Sequence, residues 1–198
     1  MKKVIIVGAT GIIGSKVQDI LCKDYEIITV NRTSGNYKLD MANAEAVDTT
    51  LKSIGGFDAL IATSGYGKWG NIEEHSIQDF HDGLQSKLMG QINLVMLGRK
   101  YANPGATFIL SSGILAQQPM VGGLSLSVIN AGVEAFVKAA TVESKEFKIN
   151  AVSPSFAKET MEQMGMDSTY GVPAIEFAKL YKQAIEDDKT GIIYHINQ

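Results

Sequence analysis

Cysteine occurs once in the 198 residues, tryptophan once and proline four times. The lone Cys22 has no partner for a disulfide within the chain. No covalent staple is therefore available, and a chain with one Cys and eight Met suits a reducing compartment, so the cytoplasm is the expected location. No apolar run approaches the roughly 18 residues of a membrane span. Lys2 and Lys3 ahead of Val4-Ile5-Ile6-Val7 imitate the start of a signal peptide. The apolar stretch breaks at Gly8 and Thr10, however, and after Ile12-Ile13 it meets Ser15 and Lys16, so no signal peptide is expected. An excess of one charge is also missing: 18 Lys and Arg face 21 Asp and Glu, for a net charge of -3. That balance argues against a nucleic-acid binder with a broad basic field. The histidines His75, His81 and His195 show no metal-ligand spacing, and no metal is expected. Internal repeats and low-complexity linkers are absent too.

What is present is 45% hydrophobic sequence in an alternating pattern, read as one soluble globular domain over residues 1–198. Short runs rich in Val and Ile recur at Lys3 to Val7, Glu26 to Val30, Asp58 to Ala62, Thr107 to Leu110, Lys148 to Val152 and Ile192 to Ile196. Several are apolar at every position, the pattern of strands covered on both faces in a parallel sheet. Between them lie segments of helical period. Phe80, Leu84, Leu88, Ile92, Val95 and Met96 form one continuous stripe, and Ile129, Val133, Phe136, Val137 and Ala140 another within Ser127 to Glu143. Further helices are expected at Gly11 to Cys22, Ala42 to Ser53 and Ala174 to Ile185, the last opened by Pro173. The order predicts an α/β fold: a doubly wound Rossmann domain with a mostly parallel sheet of about six or seven strands flanked by helices. Ligands of such sheets bind beyond the carboxyl ends of the strands.

The first strand runs directly into Gly8-Ala9-Thr10-Gly11-Ile12-Ile13-Gly14 and then a helix. Glycines at this turn permit close approach to a pyrophosphate, and the helix N-terminus supplies free N–H donors and partial positive charge. After the second strand, where an acidic residue would bind the ribose hydroxyl of NAD, the chain reads Val30-Asn31-Arg32-Thr33-Ser34. Arg32 with the hydroxyls of Thr33 and Ser34 is suited to a 2′-phosphate, which favours NADP(H) over NAD(H). Asp40, in Leu39-Asp40-Met41, is either a helix N-cap or a ligand of the adenine amino group.

These residues resemble the short-chain dehydrogenase/reductase family, and the resemblance extends over nearly the whole chain. Ala62-Thr63-Ser64-Gly65 is similar to the family's Asn-Asn-Ala-Gly segment, keeping the glycine and losing both asparagines. Phe108 to Gly113 resembles its fifth strand, with Ser112 at the catalytic serine, and Lys148 to Pro154 its sixth, with Ser155 where Gly is common. Lys189 to Ile196 is similar to the final strand. The resemblance implies a cofactor site formed by the glycine turn, Asn31 to Ser34, Asp40, Met41, Thr63 to Gly65, Pro154 and Ser155. The chain is short for the family, which implies a trimmed substrate region.

The family's Tyr, followed four residues later by Lys, is missing: alignment on Asn130-Ala131-Gly132-Val133 places Leu126 at the Tyr position and Asn130 at the Lys position. No tyrosine here has a Lys four residues after it. Lys87-Leu88-Met89-Gly90 stands where the family has Asn-Leu-x-Gly. Lys87 is either a snorkelling surface side chain or a substitute cation near Ser112. Ser112 is either the orienting hydroxyl of the site or a strand-end hydroxyl bonded to backbone. Tyr66, beside Trp69 in a glycine-rich loop, and Tyr170, in the expected lid, are weaker candidates, each with an ordinary loop-aromatic reading.

Two functions follow from the pattern. One is an atypical NADP(H)-dependent oxidoreductase for a small carbonyl or alcohol, with Ser112 and Lys87 as its chemistry-bearing residues. The other is an NADP(H)-binding sensor that has lost catalysis. The apolar surplus on the two long helices, including Val128 and Val142, predicts a homodimer or homotetramer.

Overall fold

In the computed structural model, which describes residues 1–196, every strand pairs in parallel with its neighbours. The chain runs β1 (Lys3–Val7), α1 (Ile12–Leu21), β2 (Glu26–Asn31), β3 (Tyr37–Lys38), α2 (Ala44–Ile54), β4 (Phe57–Ala62), α3 (Ile77–Gly83), α4 (Gly90–Gly98) and β5 (Ala102–Ser111). It continues through α5 (Leu124–Glu143), β6 (Lys148–Val152), α6 (Lys158–Gln163), α7 (Ala174–Glu186) and β7 (Ile193–Tyr194). The seven strands lie in the order β3-β2-β1-β4-β5-β6-β7. The winding direction reverses between β1 and β4, the position where doubly wound sheets open a crevice.

Strand side chains alternate between two apolar layers. Ile5 and Val7 face Val47 and Leu51 of α2, Leu94 and Val95 of α4, and Val133 and Val137 of α5. Val4 and Ile6 face Val17 and Leu21 of α1 and Ala178 and Tyr181 of α7. Because both faces are covered, the strands read as continuous apolar runs.

Several boundaries move from their expected places. β3, absent from the sequence reading, is a two-residue edge strand that carries no apolar run of its own. β5 starts at Ala102, because Phe57 pairs with Ala102 before a register shift restores Ala59 opposite Thr107. α5 starts at Leu124, and α6 lies in the loop after β6 where no helix is predicted. The stripe from Phe80 to Met96 is not one helix. α3 passes into a wider π-type segment, Leu84–Met89, before α4 begins. Gly83 and Gly90 flank that segment: a Cβ on Gly83 would meet Ile129 Cδ1 at 2.5 Å, and one on Gly90 would meet Met41 Cγ at 2.7 Å. Such i→i+5 turns insert an extra residue and concentrate at functional positions.

Polar side chains finish the sheet where backbone pairing stops. β4 and β5 pair as far as Ile61 and Ile109. At Ser111 the buried amide of Gln91 on α4 takes over, accepting from the Ser111 N–H at 2.7 Å and donating to its carbonyl at 3.0 Å. The Ser111 hydroxyl meets the Ala62 carbonyl and the Tyr181 phenol. Burial pushes that phenol's pKa up, so it stays protonated. Gln91→Leu keeps the volume but strips both partners from a buried peptide group, and is expected to cost about 2–4 kcal/mol in urea unfolding. Tyr181→Phe, which leaves Ser111 its carbonyl acceptor, is expected to cost only about 1 kcal/mol.

Candidate active site

The first strand leaves the sheet at Gly8, whose N–H donates to Val30 O at 2.8 Å and whose φ is +94°. A Cβ there would lie 2.9 Å from both Ser64 Cβ and Thr63 Oγ1. Gly14 is tighter still, since its Cβ would stand 2.1 Å from the Gly8 carbonyl. Thr63 closes the arrangement by donating towards Val7 O and Gly8 O, each at 3.1 Å. α1 therefore begins hard against the turn. Its N-cap, Gly11, offers no side-chain bond, and no acidic residue occupies its first turn. The first N–H groups of a helix have no intrahelical partner, so this end is left free for an anion. The side chains of Ile12 and Ile13 pack on Ala157, Ala174 and Phe177, which leaves only their backbone at the turn.

At the end of β2, Asn31 Oδ1 accepts from the Thr10 N–H at 3.1 Å, while its Nδ2 is buried without a partner among the described residues. The Arg32 side chain is 81% exposed and lies 3.6 Å from the Asp40 carboxylate. An exposed pair of this kind is worth about 0–1 kcal/mol and releases its guanidinium readily. Asp40 accepts from the Ala42 N–H, but it does not cap α2. Asn43 does, through Ala46 N at 3.0 Å, because the helix starts at Ala44. Of the two roles expected for Asp40, the N-cap is thus corrected. Thr33 and Ser34 are exposed beside Arg32. Gly8, Asn31, Arg32, Asp40, Met41, Ser64 and Gly65 line one cleft of about 200 Å³. Pro154 and Ser155 lie apart from it. The Pro154 carbonyl accepts from Ile114 N at 2.9 Å, and Ser155 lines a second cavity of about 420 Å³ with Gln117, Gln118, Ser153 and His195.

Lys87, in the wide turn between α3 and α4, does not snorkel to solvent. Its ammonium donates to Ser112 O at 2.9 Å and to Asn130 Oδ1 at 2.7 Å. Desolvation pulls its pKa down to about 8, because both partners are neutral acceptors and no carboxylate offsets the burial. Gly65 makes room for the aliphatic stem: a Cβ at this position, where φ is +145°, would stand 2.5 Å from Lys87 Cγ. The Ser112 hydroxyl donates chiefly to a side chain, Glu134 Oε1 at 2.9 Å, with Val152 O only at 3.5 Å. Gln117 Nε2 donates to both Glu134 oxygens, at 2.9 and 2.8 Å.

The reading of the sequence missed Glu134 and Gln117. A signal for Glu134 existed, since it is a charged residue among Ile129, Val133 and Val137 on the buried stripe of α5. The loop aromatics do not reach this cluster in the expected way. Trp69 packs edge-on against Phe156 with centroids 5.9 Å apart, rather than anchoring Tyr66, which is 56% exposed, and Tyr170 is 92% exposed. Leu126, which the resemblance sets at the phenol position, packs closely enough that a Cβ on Gly67 would be 2.5 Å from its Cδ2.

Residues 27–184 match the family model described as Enoyl-(Acyl carrier protein) reductase. The chain belongs to the short-chain dehydrogenase/reductase family. It is similar to General stress protein 39 of Bacillus subtilis, 26% identical over an alignment 174 positions long that covers 77% of this chain and 60% of that protein. It is also similar to a hydroxynaphthalene reductase of Aspergillus fumigatus, 25% identical over 58% of this chain and 43% of the relative. The chain thus spans 60% of the first of these relatives and 43% of the second. Among solved structures, the protein lin1944 of Listeria innocua superposes over 100% of both chains with a TM-score of 0.95 and 31% identity. A small-chain dehydrogenase in complex with NADPH covers 99% of this chain and 96% of its own, with a TM-score of 0.89 at 24% identity. Among the described residues, no group of His, Cys, Asp and Glu is arranged to hold a metal, and no helix is long and apolar enough to cross a membrane.

The steric grading of the glycine turn is directly testable. Gly14→Ala is expected to lower thermal stability severely or prevent folding, whereas Gly11→Ala, whose nearest neighbour would be Gly8 O at 3.3 Å, is expected to melt within a few degrees of wild type.

Proposed function

We propose that the protein is an NADP(H)-dependent oxidoreductase acting on a small carbonyl or alcohol. The observation that carries this reading is the bridge from Lys87 to Ser112 O and Asn130 Oδ1. By resemblance, the family sets its cation where Asn130 stands and an asparagine where Lys87 stands. Here the two residue types have exchanged helices and bond one another, so a positive charge is retained beside Ser112. The cofactor site fits a dinucleotide. The uncapped α1 N-terminus suits the pyrophosphate, and Arg32 with Thr33 and Ser34 suits a 2′-phosphate. A structural neighbour of the same fold was solved in complex with NADPH, which is consistent with a dinucleotide of this kind. A bound dinucleotide supplies or accepts the hydride. Lys87 places positive charge where a substrate oxygen becomes more negative, and Ser112 orients that oxygen.

A titration with NADPH and NADH, followed by nucleotide fluorescence, is expected to show preference for NADPH. Arg32→Ala is expected to weaken NADPH binding about tenfold and leave NADH binding unchanged. Lys87→Met is expected to lower turnover about 100-fold while nucleotide binding survives. The pH dependence has a definite sign: the ammonium is present below about 8 and is lost as pH rises through that value. Turnover should therefore fall on the alkaline side with a midpoint near 8. Lys87→Arg, which keeps its charge, should retain activity there.

The second reading, a sensor of NADP(H) without catalysis, is favoured by one observation, the apolar Leu126 packed into the phenol's place. It predicts nucleotide binding with no hydride transfer to any carbonyl, and partner affinity that differs between NADP+, NADPH and the free protein. For either function the assembly we infer is a homodimer or homotetramer. Val128 and Val142 on α5 are exposed, and exposed Met96 on α4 lines a groove with Val95 and Phe136. Sedimentation at micromolar concentration should show more than the 21.3 kDa chain.

A further inference from the structure

We propose that Glu134 is the positioning residue behind Ser112 and the terminus of its proton path, the part the absent phenol would otherwise play; this rests on the oxidoreductase reading above. The Ser112 hydroxyl has two neighbours, Glu134 Oε1 at 2.9 Å and Val152 O at 3.5 Å, and both are acceptors when the carboxyl is ionised. A hydroxyl has one hydrogen to give, and the carboxylate takes it. What remains to Ser112, which is only 2% exposed in the free protein, is acceptor capacity alone.

The setting of Glu134 is costly for a structural residue. It is 6% exposed, and its three hydrogen bonds come from Ser112 and Gln117, neutral groups. It makes no ion pair among the described residues. A leucine would continue the stripe of Ile129, Val133 and Val137 without burying a charge. Local rules broken in this way mark functional positions. Ser112 is thereby held from two elements, its carbonyl on the Lys87 ammonium and its hydroxyl on the Glu134 carboxyl group.

The consequence is a rule of substrate class. With Glu134 ionised, Ser112 accepts a hydrogen bond and the site takes an alcohol. With Glu134 protonated, the carboxyl donates to Ser112, the serine hydroxyl turns its hydrogen outward, and the site takes a carbonyl. In the oxidative direction the alcohol O–H bond breaks and its proton passes to Ser112 Oγ as the serine proton passes to Glu134. The carbon-bound hydrogen leaves with its electron pair to an oxidised nicotinamide dinucleotide, the co-reactant, and the carbonyl double bond forms. The proton leaves Glu134 on the side of Gln117, which is exposed and lines the cavity shared with Ser153, Ser155 and His195.

The test has two readouts. In the free protein with carboxyl-labelled glutamate, the Glu134 resonance is identified by its loss in Glu134→Gln. It is expected to move in Ser112→Ala, and an unmoved resonance would overturn the coupling. Hydride transfer is then followed with NADP+ or NADPH and the pairs cyclohexanol with cyclohexanone, isopropanol with acetone, and benzyl alcohol with benzaldehyde. Glu134→Gln is expected to lower both directions at least about 100-fold with NADPH affinity unchanged. Glu134→Asp should recover to within about tenfold of wild type. Formate should restore Glu134→Ala, which a merely structural carboxylate would not explain. Wild-type rates in Glu134→Gln overturn the role of Glu134 alone. A wild-type protein that binds NADPH and transfers no hydride with any pair overturns the oxidoreductase reading together with it.

Discussion

One ammonium, that of Lys87, ties together the parts of the site that come from distant stretches of chain. Its two acceptors lie on different elements, the Ser112 carbonyl just past β5 and the Asn130 amide on α5, and its stem rests against the loop after β4 at Gly65. A lysine reaches both because it sits in the wide turn between α3 and α4. Neither acceptor carries a charge, so burial is uncompensated and the proton is held less tightly than on a solvated lysine. The same uncompensated charge is what makes the group electrostatically effective towards a nearby oxygen.

Ser112 is the other fixed point, because each of its polar atoms is assigned. Its N–H donates to Val152 O at 2.9 Å, continuing the β5 to β6 ladder one residue beyond β5, while its carbonyl and hydroxyl go to Lys87 and Glu134. Directly before it, Ser111 is held by Gln91, Tyr181 and the Ala62 carbonyl. The end of β5 is thus locked from α4, α5 and α7, and the sheet between two apolar layers supplies the rigid base for that lock.

The family resemblance and this geometry meet in an exchange of residue types. Where the family uses lysine on the helix after the fifth strand and asparagine on the preceding one, this chain has Asn130 and Lys87, and they bond at 2.7 Å. The glycine turn and the uncapped α1 that follows it are kept. On the side of Ser112, Leu126 stands where the resemblance places a phenol, and a buried Glu134 carboxyl group bonds the serine hydroxyl.

Alternation of apolar runs with helical stripes was enough to determine the layered parallel sheet, and β1 and β6 lie at their expected residues. The glycine turn and its uncapped helix were also readable, because turn chemistry is a local matter. Lys87 and Ser112 could be singled out from their positions in the chain. Tertiary structure alone decided how they are used. The break of the Phe80 to Met96 stripe depends on Ile129 and Met41 packing against Gly83 and Gly90, contacts no periodicity contains. Asn43 rather than Asp40 caps α2 because the chain turns at Ala42 before the helix starts. Glu134 joins Ser112 from 22 residues away, and only the packing of α5 against the end of β5 turns a charged residue on an apolar stripe into part of a site. Local sequence fixes periodicity and turns, whereas the partners of a buried polar group are chosen by whichever distant segment the fold brings within hydrogen-bonding distance.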